Sequence, residues 1–381
     1  MMAGEGNRLA LVLSGGGARA AYQVGFLRCL ARNFPDISIP IITGVSAGAI
    51  NAAFLANHTG TFTEAVEELS DLWLGLSVDQ VFCVDTWELI RNVFRWGTRL
   101  LSGGISRKKS SAKSLLDSAP LRKLLERALL PQGDVIAGIC KNLQQGKLKA
   151  FAITGTNYAT GQAVTWVMGK ETRMWERPWR QSELADITID HIMSSASLPL
   201  LFPAVKVGNA WYGDGGIRQS APLSPAIYLG AKRIIAIPTR HLRPKQEGNL
   251  PAGAGYPPPA QIAGTLMSSI FLDALDQDVR TLKRINLLLE QIPEEQHGDR
   301  SVVYPFIMRP SEDLGEIAAR FEPELPYLFR YLFRGTGTNE TSSSDWLSMV
   351  MFDPHYLAHL IKLGENDAAK HTGEIMDLLN S

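Results

Sequence analysis

A serine stands between two glycines directly after a short apolar run, in the segment Ile-Ile-Thr-Gly-Val-Ser-Ala-Gly-Ala-Ile-Asn at positions 41–51. The small residues that follow predict a helix, so the chain must turn sharply from strand to helix at Ser46. In such a turn a side chain at Gly44 or Gly48 would collide with the neighbouring backbone, while Ser46 is pushed outward. The G-x-S-x-G pattern is typical of a nucleophile elbow. A chain of 381 residues with 34 glycines can also contain it by chance, so its context has to decide.

Apolar periodicity on both sides of this segment predicts an α/β protein. Residues 9–13 and 39–43 are typical of buried strands, and each is followed by a glycine turn and a helix, over residues 18–33 and 47–56. Another helix is predicted over residues 63–74. This alternation predicts a three-layer α/β/α core with a mostly parallel central sheet. Further strands are predicted at 148–157, 162–168, 233–238 and 302–308.

Composition excludes several classes of protein. Apolar residues make up 45% of the chain and charged residues 20%, and 38 basic residues balance 38 acidic ones, so a nucleic-acid partner is not expected. The three cysteines lack metal-type spacing, and no cofactor or metal is expected. We find neither a run long enough to span a membrane nor a signal-peptide pattern, so a reducing, cytoplasmic setting is expected.

We divide the chain into three parts. Residues 1–240 form the predicted catalytic core, with a helical, basic insertion at about 85–130. Residues 241–260 are rich in proline and glycine and predict a surface loop. Residues 261–381 predict a mainly helical C-terminal extension, whose sequence indicates no chemistry.

Three consecutive glycines, Gly15, Gly16 and Gly17, separate the first strand from the first helix. Their backbone N–H groups can point into one concavity at a helix start, which suits either a phosphate or the oxyanion of an acyl-transfer intermediate. The spacing up to Ala20 also fits a dinucleotide-binding fingerprint. That fingerprint needs an acidic residue at the end of the second strand, and Asp36 lies before the strand, so the dinucleotide interpretation fails.

If the glycines form an oxyanion hole, Ser46 needs a base to accept its proton. No motif surrounds the candidate histidines that follow the serine, which are His191, His241, His297, His355 and His359. Asp214 is more informative, because Gly215 and Gly216 follow it at the end of a predicted strand and leave room for close backbone approach. Asp-Gly is also a common turn, so Asp214 alone does not define a base.

Taken together and in this order, the G-G-G-x-R, G-x-S-x-G and D-G-G motifs resemble the patatin-like phospholipase family, of the bacterial type. The resemblance extends from about Arg8 to about Pro238 and includes Ser-Ser-Ala-Ser-Leu-Pro at 194–199 and Phe-Pro at 202–203. In one departure, Ala20 stands where the family commonly has glycine.

The resemblance implies a serine–aspartate dyad without histidine, with Ser46 as nucleophile and Asp214 as general base. It places the oxyanion hole at the Gly15–Gly17 loop, where Arg19 either braces the loop or faces the phosphate of the substrate. The implied activity is a lipid acyl hydrolase of the phospholipase A or lysophospholipase type, which cleaves carboxylic esters of (phospho)lipids through an acyl-enzyme.

Two other functions remain open at this point, a nucleotide- or phosphate-binding protein that uses the glycine loop and a catalytically inactive interaction module. A hydrolase of this kind has membrane lipid as its substrate. Ten basic residues stand against two acidic ones between residues 91 and 127, with Arg91, Arg95 and Arg99 spaced as a helical stripe. Such a helix can lie on an anionic membrane, and it can equally be a solvated helix that packs on the core. The sequence does not indicate an oligomeric state.

Overall fold

The computed structural model describes residues 8–83, 116–130, 136–169, 172–199, 201–242, 274–324 and 345–380. Within these ranges ten strands form one sheet. They are β1 (Leu9–Leu13), β2 (Ile41–Val45), β3 (Ala150–Asn157), β4 (Ala163–Gly169), β5 (Glu176–Arg177), β6 (Arg180–Leu184), β7 (Val205–Val207), β8 (Ala210–Asp214), β9 (Arg233–Ile237) and β10 (Tyr304–Ile307).

The described helices connect these strands or follow them. They are α1 (Ala21–Asn33), α2 (Ala47–Asn57), α3 (Phe62–Leu74), α4 (Val78–Val81), α5 (Ala119–Leu129), α6 (Ala137–Gln144), α7 (Ile189–Ser195), α8 (Ser224–Tyr228), α9 (Ala274–Leu289), α10 (Leu314–Phe321), α11 (Asp345–Val350), α12 (Pro354–Lys370) and α13 (Thr372–Asn380). A 3-10 turn at Gly17–Ala20 precedes α1. No helix among the described residues is long and apolar enough to cross a membrane.

The sheet is mostly parallel, as predicted. Its order is β10-β9-β1-β2-β3-β4-β6-β5, and the first five strands of this order are all parallel to one another. The strands β3 and β4 pair antiparallel, and β8 pairs antiparallel with the end of β3. The turn at Ser46 lies inside the parallel part, where β2 ends between β1 and β3.

Helices cover both faces of the sheet, which confirms the predicted α/β/α layers. Successive residues of β1 point to opposite faces, because side chains alternate along a strand. Leu9 and Leu11 belong to one apolar core, which they share with α1, α2, α3 and α12. Ala10 and Val12 belong to a second core, formed with α8 and α9. Burial on both faces explains why β1 is continuously apolar instead of alternating.

The C-terminal residues contribute to the same sheet and to one of its helical layers. The strand β10 extends the sheet by pairing parallel with β9, and α12 packs along α1. The predicted division at residue 240 stays a prediction. Most of the basic segment, with Arg91, Arg95 and Arg99, lies outside the described residues, as do residues 243–260 of the predicted loop.

Two glycines allow α1 and α12 to pack with their backbones in close contact. A Cβ atom at Gly25 would overlap the carbonyl oxygen of Ile361, and one at Gly364 would overlap the carbonyl oxygen of Tyr22. An alanine at either position therefore has to push the helices apart.

We predict that Gly25→Ala lowers the free energy of unfolding by about 2 kcal/mol, because the added methyl group overpacks this contact. Urea denaturation followed by circular dichroism measures the effect. Gly373→Ala is the matched control, since a methyl group added there would have no atom within 4 Å and alanine favours a helix. Equal stability of the two variants would contradict the close packing of α1 against α12.

Candidate active site

Ser46 occupies a strained turn between β2 and α2. Its backbone has φ 55° and ψ −133°, a positive-φ conformation that residues other than glycine rarely adopt. The two flanking glycines permit the turn: a Cβ at Gly44 would lie 2.5 Å from the carbonyl oxygen of Gly48, and a Cβ at Gly48 would overlap that of Leu13. The turn is thus too tight for any larger residue at these two positions.

Asp214 meets Ser46 because β2 and β8 lie on the same side of β3. The strand β2 pairs with β3 up to Val45, opposite Thr154. From the next residue of β3, Gly155, the partner is β8 instead of β2, and Gly155 is opposite Asp214. The strand β8 runs antiparallel to β3 and therefore also to β2. The two strands therefore point at each other end to end. The Ser46 hydroxyl donates a hydrogen bond of 2.6 Å to Asp214 Oδ2.

The Asp214 carboxylate is fully buried, and backbone groups hold it. The N–H of Gly216 donates to Oδ1 at 2.8 Å, and the Asp214 N–H donates to the carbonyl oxygen of Ser197 at 2.9 Å. Burial raises the pKa of Asp214 to about 7, against the opposing effect of the hydrogen bonds from Ser46 and Gly216. Near neutral pH this carboxylate can both accept and return a proton.

The backbone of Ser46 is also fixed, by a serine of the 194–199 segment. The Ser46 N–H donates to Ser195 Oγ at 3.0 Å, and the Ser195 hydroxyl donates to the carbonyl oxygen of Thr154 at 2.6 Å. From the sequence, only the family resemblance pointed to this segment. Here Ser195 ties the nucleophile elbow to β3.

The glycine loop lies directly against Ser46. A Cβ at Gly15 would be 2.8 Å from the Cβ of Ser46, and Gly16 and Gly17 have φ of 146° and 57°. The hydroxyl of Thr239 donates to the carbonyl oxygen of Gly15 at 2.6 Å. Gly17 opens the 3-10 turn, and the first N–H groups of such a turn have no acceptor within it. These donors can therefore serve a negative charge that develops next to Ser46.

A buried chain of side-chain hydrogen bonds supports this loop from below. The Gln23 amide donates to the carbonyl oxygens of Ser14 and Ile237, at 2.8 and 3.0 Å. Asn51 donates to Gln23 at 3.0 Å and accepts from the Trp73 indole at 2.8 Å. Because these bonds are largely buried, displacing the loop would leave polar groups unpaired. The sequence did not predict these hydrogen bonds, because Gln23, Asn51 and Trp73 do not belong to any motif.

Arg19 braces the loop and does not face the site. Its side chain is 2% exposed, and it donates to Ser348 Oγ at 2.7 Å and to Asp345 Oδ1 at 2.6 Å. Both partners belong to α11, and a Cβ at Gly17 would overlap the carbonyl oxygen of Met349. Of the two alternatives for Arg19, the geometry therefore supports the brace. The C-terminal extension, whose sequence indicated no chemistry, holds the glycine loop.

An apolar pocket, partly open to solvent, borders Ser46. Its walls come from α2, α3, α5 and α11 and from residues outside these helices, and they include Ile50, Trp73, Leu121, Leu125, Leu198, Phe202 and Phe352. The sequence did not predict the pocket, because its walls are assembled from segments far apart in the chain.

Among the described residues, no histidine is hydrogen-bonded to Ser46 or Asp214. His191 instead bonds to Thr188 and packs edge-on against Trp166, and burial lowers its pKa to about 4. His241 lies 2.9 Å from the carbonyl oxygen of Pro310. The described residues likewise contain no group of histidine, cysteine and acidic side chains that could hold a metal ion.

A serine at a tight strand–helix turn, hydrogen-bonded to a buried carboxylate, is the arrangement that can activate a serine nucleophile. The comparison with known families is more specific. The family model described as patatin-like phospholipase matches residues 11–227, and the chain therefore belongs to the patatin-like phospholipase family. Membership of this family supports a lipid hydrolase function.

Solved structures show distant similarity. VipD from Legionella pneumophila is 13% identical, with a TM-score of 0.41 over 98% of this chain and 67% of VipD. Human GIVD cytosolic phospholipase A2, in complex with methyl gamma-linolenyl fluorophosphonate, is 12% identical, with a TM-score of 0.44 over 98% of this chain and 59% of the human chain. The chain thus spans about two thirds or less of the length of these proteins. No curated protein matches it by sequence.

We predict that Asp345→Asn lowers the free energy of unfolding by about 2 kcal/mol, because it leaves the buried Arg19 guanidinium without its counter-charge. The urea denaturation midpoint measures the loss. Asp36→Asn is the matched control, since Asp36 is exposed. If both variants unfold at the wild-type midpoint, the Arg19 brace does not stabilise the loop.

Proposed function

We propose that this protein is a lipid acyl hydrolase that cleaves carboxylic esters of (phospho)lipids through a Ser46–Asp214 dyad and an acyl-enzyme. The observation that carries the proposal is the 2.6 Å hydrogen bond between Ser46 Oγ and the buried Asp214 carboxylate. It joins a hydroxyl on a strained turn to a proton acceptor, which is the arrangement that activates a serine nucleophile.

In the acylation step, Asp214 takes the proton of Ser46 while Ser46 Oγ bonds to the carbonyl carbon of the ester. The carbonyl oxygen becomes an oxyanion, and the backbone N–H groups of the Gly15–Gly17 loop stabilise it. The intermediate collapses with cleavage of the bond to the alcohol oxygen. Asp214 returns its proton to that oxygen, and the alcohol part of the lipid leaves.

In the deacylation step, a water molecule takes the place of the alcohol. Asp214 accepts a proton from this water, whose oxygen bonds to the carbonyl carbon of the acyl-Ser46 ester. Collapse of the second intermediate breaks the bond to Ser46 Oγ, and the proton on Asp214 returns to the serine. The products are a fatty acid and the regenerated dyad, so one carboxylate serves both half-reactions.

The apolar pocket beside Ser46 is the proposed site for the acyl chain. Its lining is almost entirely apolar, with Leu72, Leu76 and Val81 beyond the residues already named. Burial of each methylene group contributes about 0.8 kcal/mol, so a long chain gains enough to position the ester at Ser46. The same pocket offers nothing to a nucleotide, which weakens the phosphate-binding alternative for the glycine loop.

A membrane lipid substrate places the enzyme at a membrane surface at least transiently. Contact through the basic segment 91–127 stays a prediction, because most of that segment lies outside the described residues. A cytoplasmic setting is likewise part of the proposal.

We predict that a fluorophosphonate probe labels Ser46 in the folded protein, because the probe traps serines activated by a base. Ser46→Ala should abolish the labelling, and Asp214→Asn should reduce it by on the order of a hundredfold or more. Mass spectrometry of the labelled peptide identifies the site. Ser301→Ala, which changes an exposed serine, is the control and should keep full labelling. Absence of label on Ser46 in folded wild-type protein would remove the hydrolase proposal.

We predict that kcat/KM for a soluble ester falls about tenfold per pH unit below pH 7 and is level above it. The base acts only when it is deprotonated, and burial raises the pKa of Asp214 from 3.8 to about 7. Activity is therefore lost as the pH falls through the raised pKa. Circular dichroism over the same pH range is the control, and it should show no loss of structure. If kcat/KM instead falls around pH 4, the buried Asp214 is not the base.

A further inference from the structure

Three large aromatic side chains are exposed at the edge of the sheet where the dyad lies. Tyr158, Trp179 and Trp211 are 47%, 61% and 47% exposed. We refer to these three residues as the aromatic rim. None of them belongs to the three sequence motifs, and the reaction described above does not use them.

Strand directions place the rim beside the active site. Ser46 follows the carboxyl end of β2, and the parallel strand β3 continues about 10 Å further, as far as Asn157. Tyr158 comes directly after β3, and its N–H donates to the carbonyl oxygen of Trp211 at 2.9 Å. Trp179 comes directly before β6, whose first residue pairs with the first residue of β4. All three residues therefore lie at the Ser46 edge.

Tyr158 and Trp211 lie on the same face of β8. A Cβ at Gly213 would overlap the ring and hydroxyl of Tyr158, so this ring covers the Gly213 position. Trp211 is two residues from Gly213 and points to the same face, because side chains alternate along a strand. The Tyr158 ring therefore lies close to Asp214, which follows Gly213 in the chain. Burial and the nearby charge of Asp214 both raise the pKa of Tyr158.

Arg218 adds a positive charge to the rim. Its guanidinium lies 5.7 Å from the centroid of the Trp179 ring, in a cation–π arrangement. Its side chain also approaches Gly161 in the turn that follows Tyr158. Arg218 is exposed and follows the Asp-Gly-Gly motif by only two residues. The rim thus combines amphipathic rings with a cation that remains accessible to an anion.

Trp179 is held in an unfavourable conformation to reach this position. Pro178 and Trp179 form the two-residue turn between β5 and β6, because Arg177 pairs with Arg180. Proline is common at the first central position of a type II turn, whose second position has a positive φ that glycine or asparagine adopts readily. Trp179 adopts it instead, with φ 64°. Folding alone favours a different residue here, and strain of this kind is typical of functional positions.

We propose that the aromatic rim docks the protein onto a phospholipid bilayer, with Tyr158, Trp179 and Trp211 at the level of the headgroups and Arg218 on a lipid phosphate. Tyrosine and tryptophan favour this interface because each has an apolar ring and a polar group. A guanidinium stacked on an aromatic ring can still donate to phosphate. The proposal rests on the proposed function, since a bilayer-embedded ester needs the site to approach its surface.

The test measures vesicle flotation with the Ser46→Ala protein, which binds without turnover. Phosphatidylcholine vesicles with and without phosphatidylserine are the probes. We expect Trp179→Asn to lower the bound fraction on both vesicles about tenfold, because it removes a ring from the interface. The same change should leave the unfolding temperature equal or higher, since asparagine accepts a positive φ. Loss of binding without loss of stability separates docking from a structural role.

Two further variants and a control complete the experiment. Trp211→Thr should also lower binding to both vesicles, and it keeps the test valid if Trp179→Asn does not fold. Arg218→Gln should lower binding to both vesicles, and it should lower it more on those that contain phosphatidylserine, whose net negative charge also attracts the guanidinium. Leu184→Ala is the control, because Leu184 is 62% exposed at the opposite end of β6, and it should bind as the parent does.

Wild-type binding by folded Trp179→Asn and Trp211→Thr would overturn the proposal, and so would absence of vesicle binding by the Ser46→Ala parent. Activity assays keep this result apart from the hydrolase proposal. In the active protein the rim variants should lose hydrolysis of vesicle phospholipid and retain hydrolysis of a soluble short-chain ester. If the active protein hydrolyses neither ester while the parent binds vesicles, only the hydrolase proposal fails.

Discussion

The end-to-end meeting of β2 and β8 beside β3 is the constraint on which the site depends. Two antiparallel strands can share one side of a third strand only if one stops where the other begins. Ser46 and Asp214 stand at that junction, next to Thr154 and Gly155. A Cβ at Gly215 would overlap the carbonyl oxygen of Thr154, so the junction leaves no space for a larger residue. The short hydrogen bond of the dyad is therefore a consequence of sheet topology, and it keeps a buried carboxylate in contact with a donor.

The glycine loop shows how residues beyond the family match complete the site. The patatin-like match ends at residue 227, yet Thr239 holds Gly15 from one side, and Asp345 and Ser348 hold Arg19 from the other. An oxyanion hole has to be rigid before the charge appears, because reorganising its dipoles during the reaction costs rate. The described part of the C-terminal extension is therefore in direct contact with the glycine loop and fixes its position.

Local signals were sufficient to predict the five strands of the parallel part of the sheet and the tight turn at Ser46, whereas the short strands β5 and β6 were not predicted. The role of Asp214 came from the family resemblance, because an Asp-Gly pair alone is typical of a turn. The apolar run of β1 and the glycines around Ser46 each reflect a constraint within a few residues, and sequence patterns report such constraints well. The partners of Arg19 are more than 300 residues away in the chain, and no local pattern encodes them. The apolar pocket and the aromatic rim are likewise assembled from segments that are far apart in the chain. Trp179 does have one local signal in the sequence, because a bulky residue follows Pro178 at a turn position that favours glycine.

Two non-glycine residues among the described ranges have a positive φ, and they are Ser46 and Trp179. Both lie at the same edge of the sheet, one at the dyad and the other at the aromatic rim. A strained backbone persists only where the surrounding structure enforces it, so its position indicates where the fold accepts a loss of stability. At Ser46 the conformation aims a hydroxyl at Asp214, and at Trp179 it turns an indole outward. Because β3 connects both places, a rim seated on a bilayer would present the dyad to that bilayer in a fixed orientation.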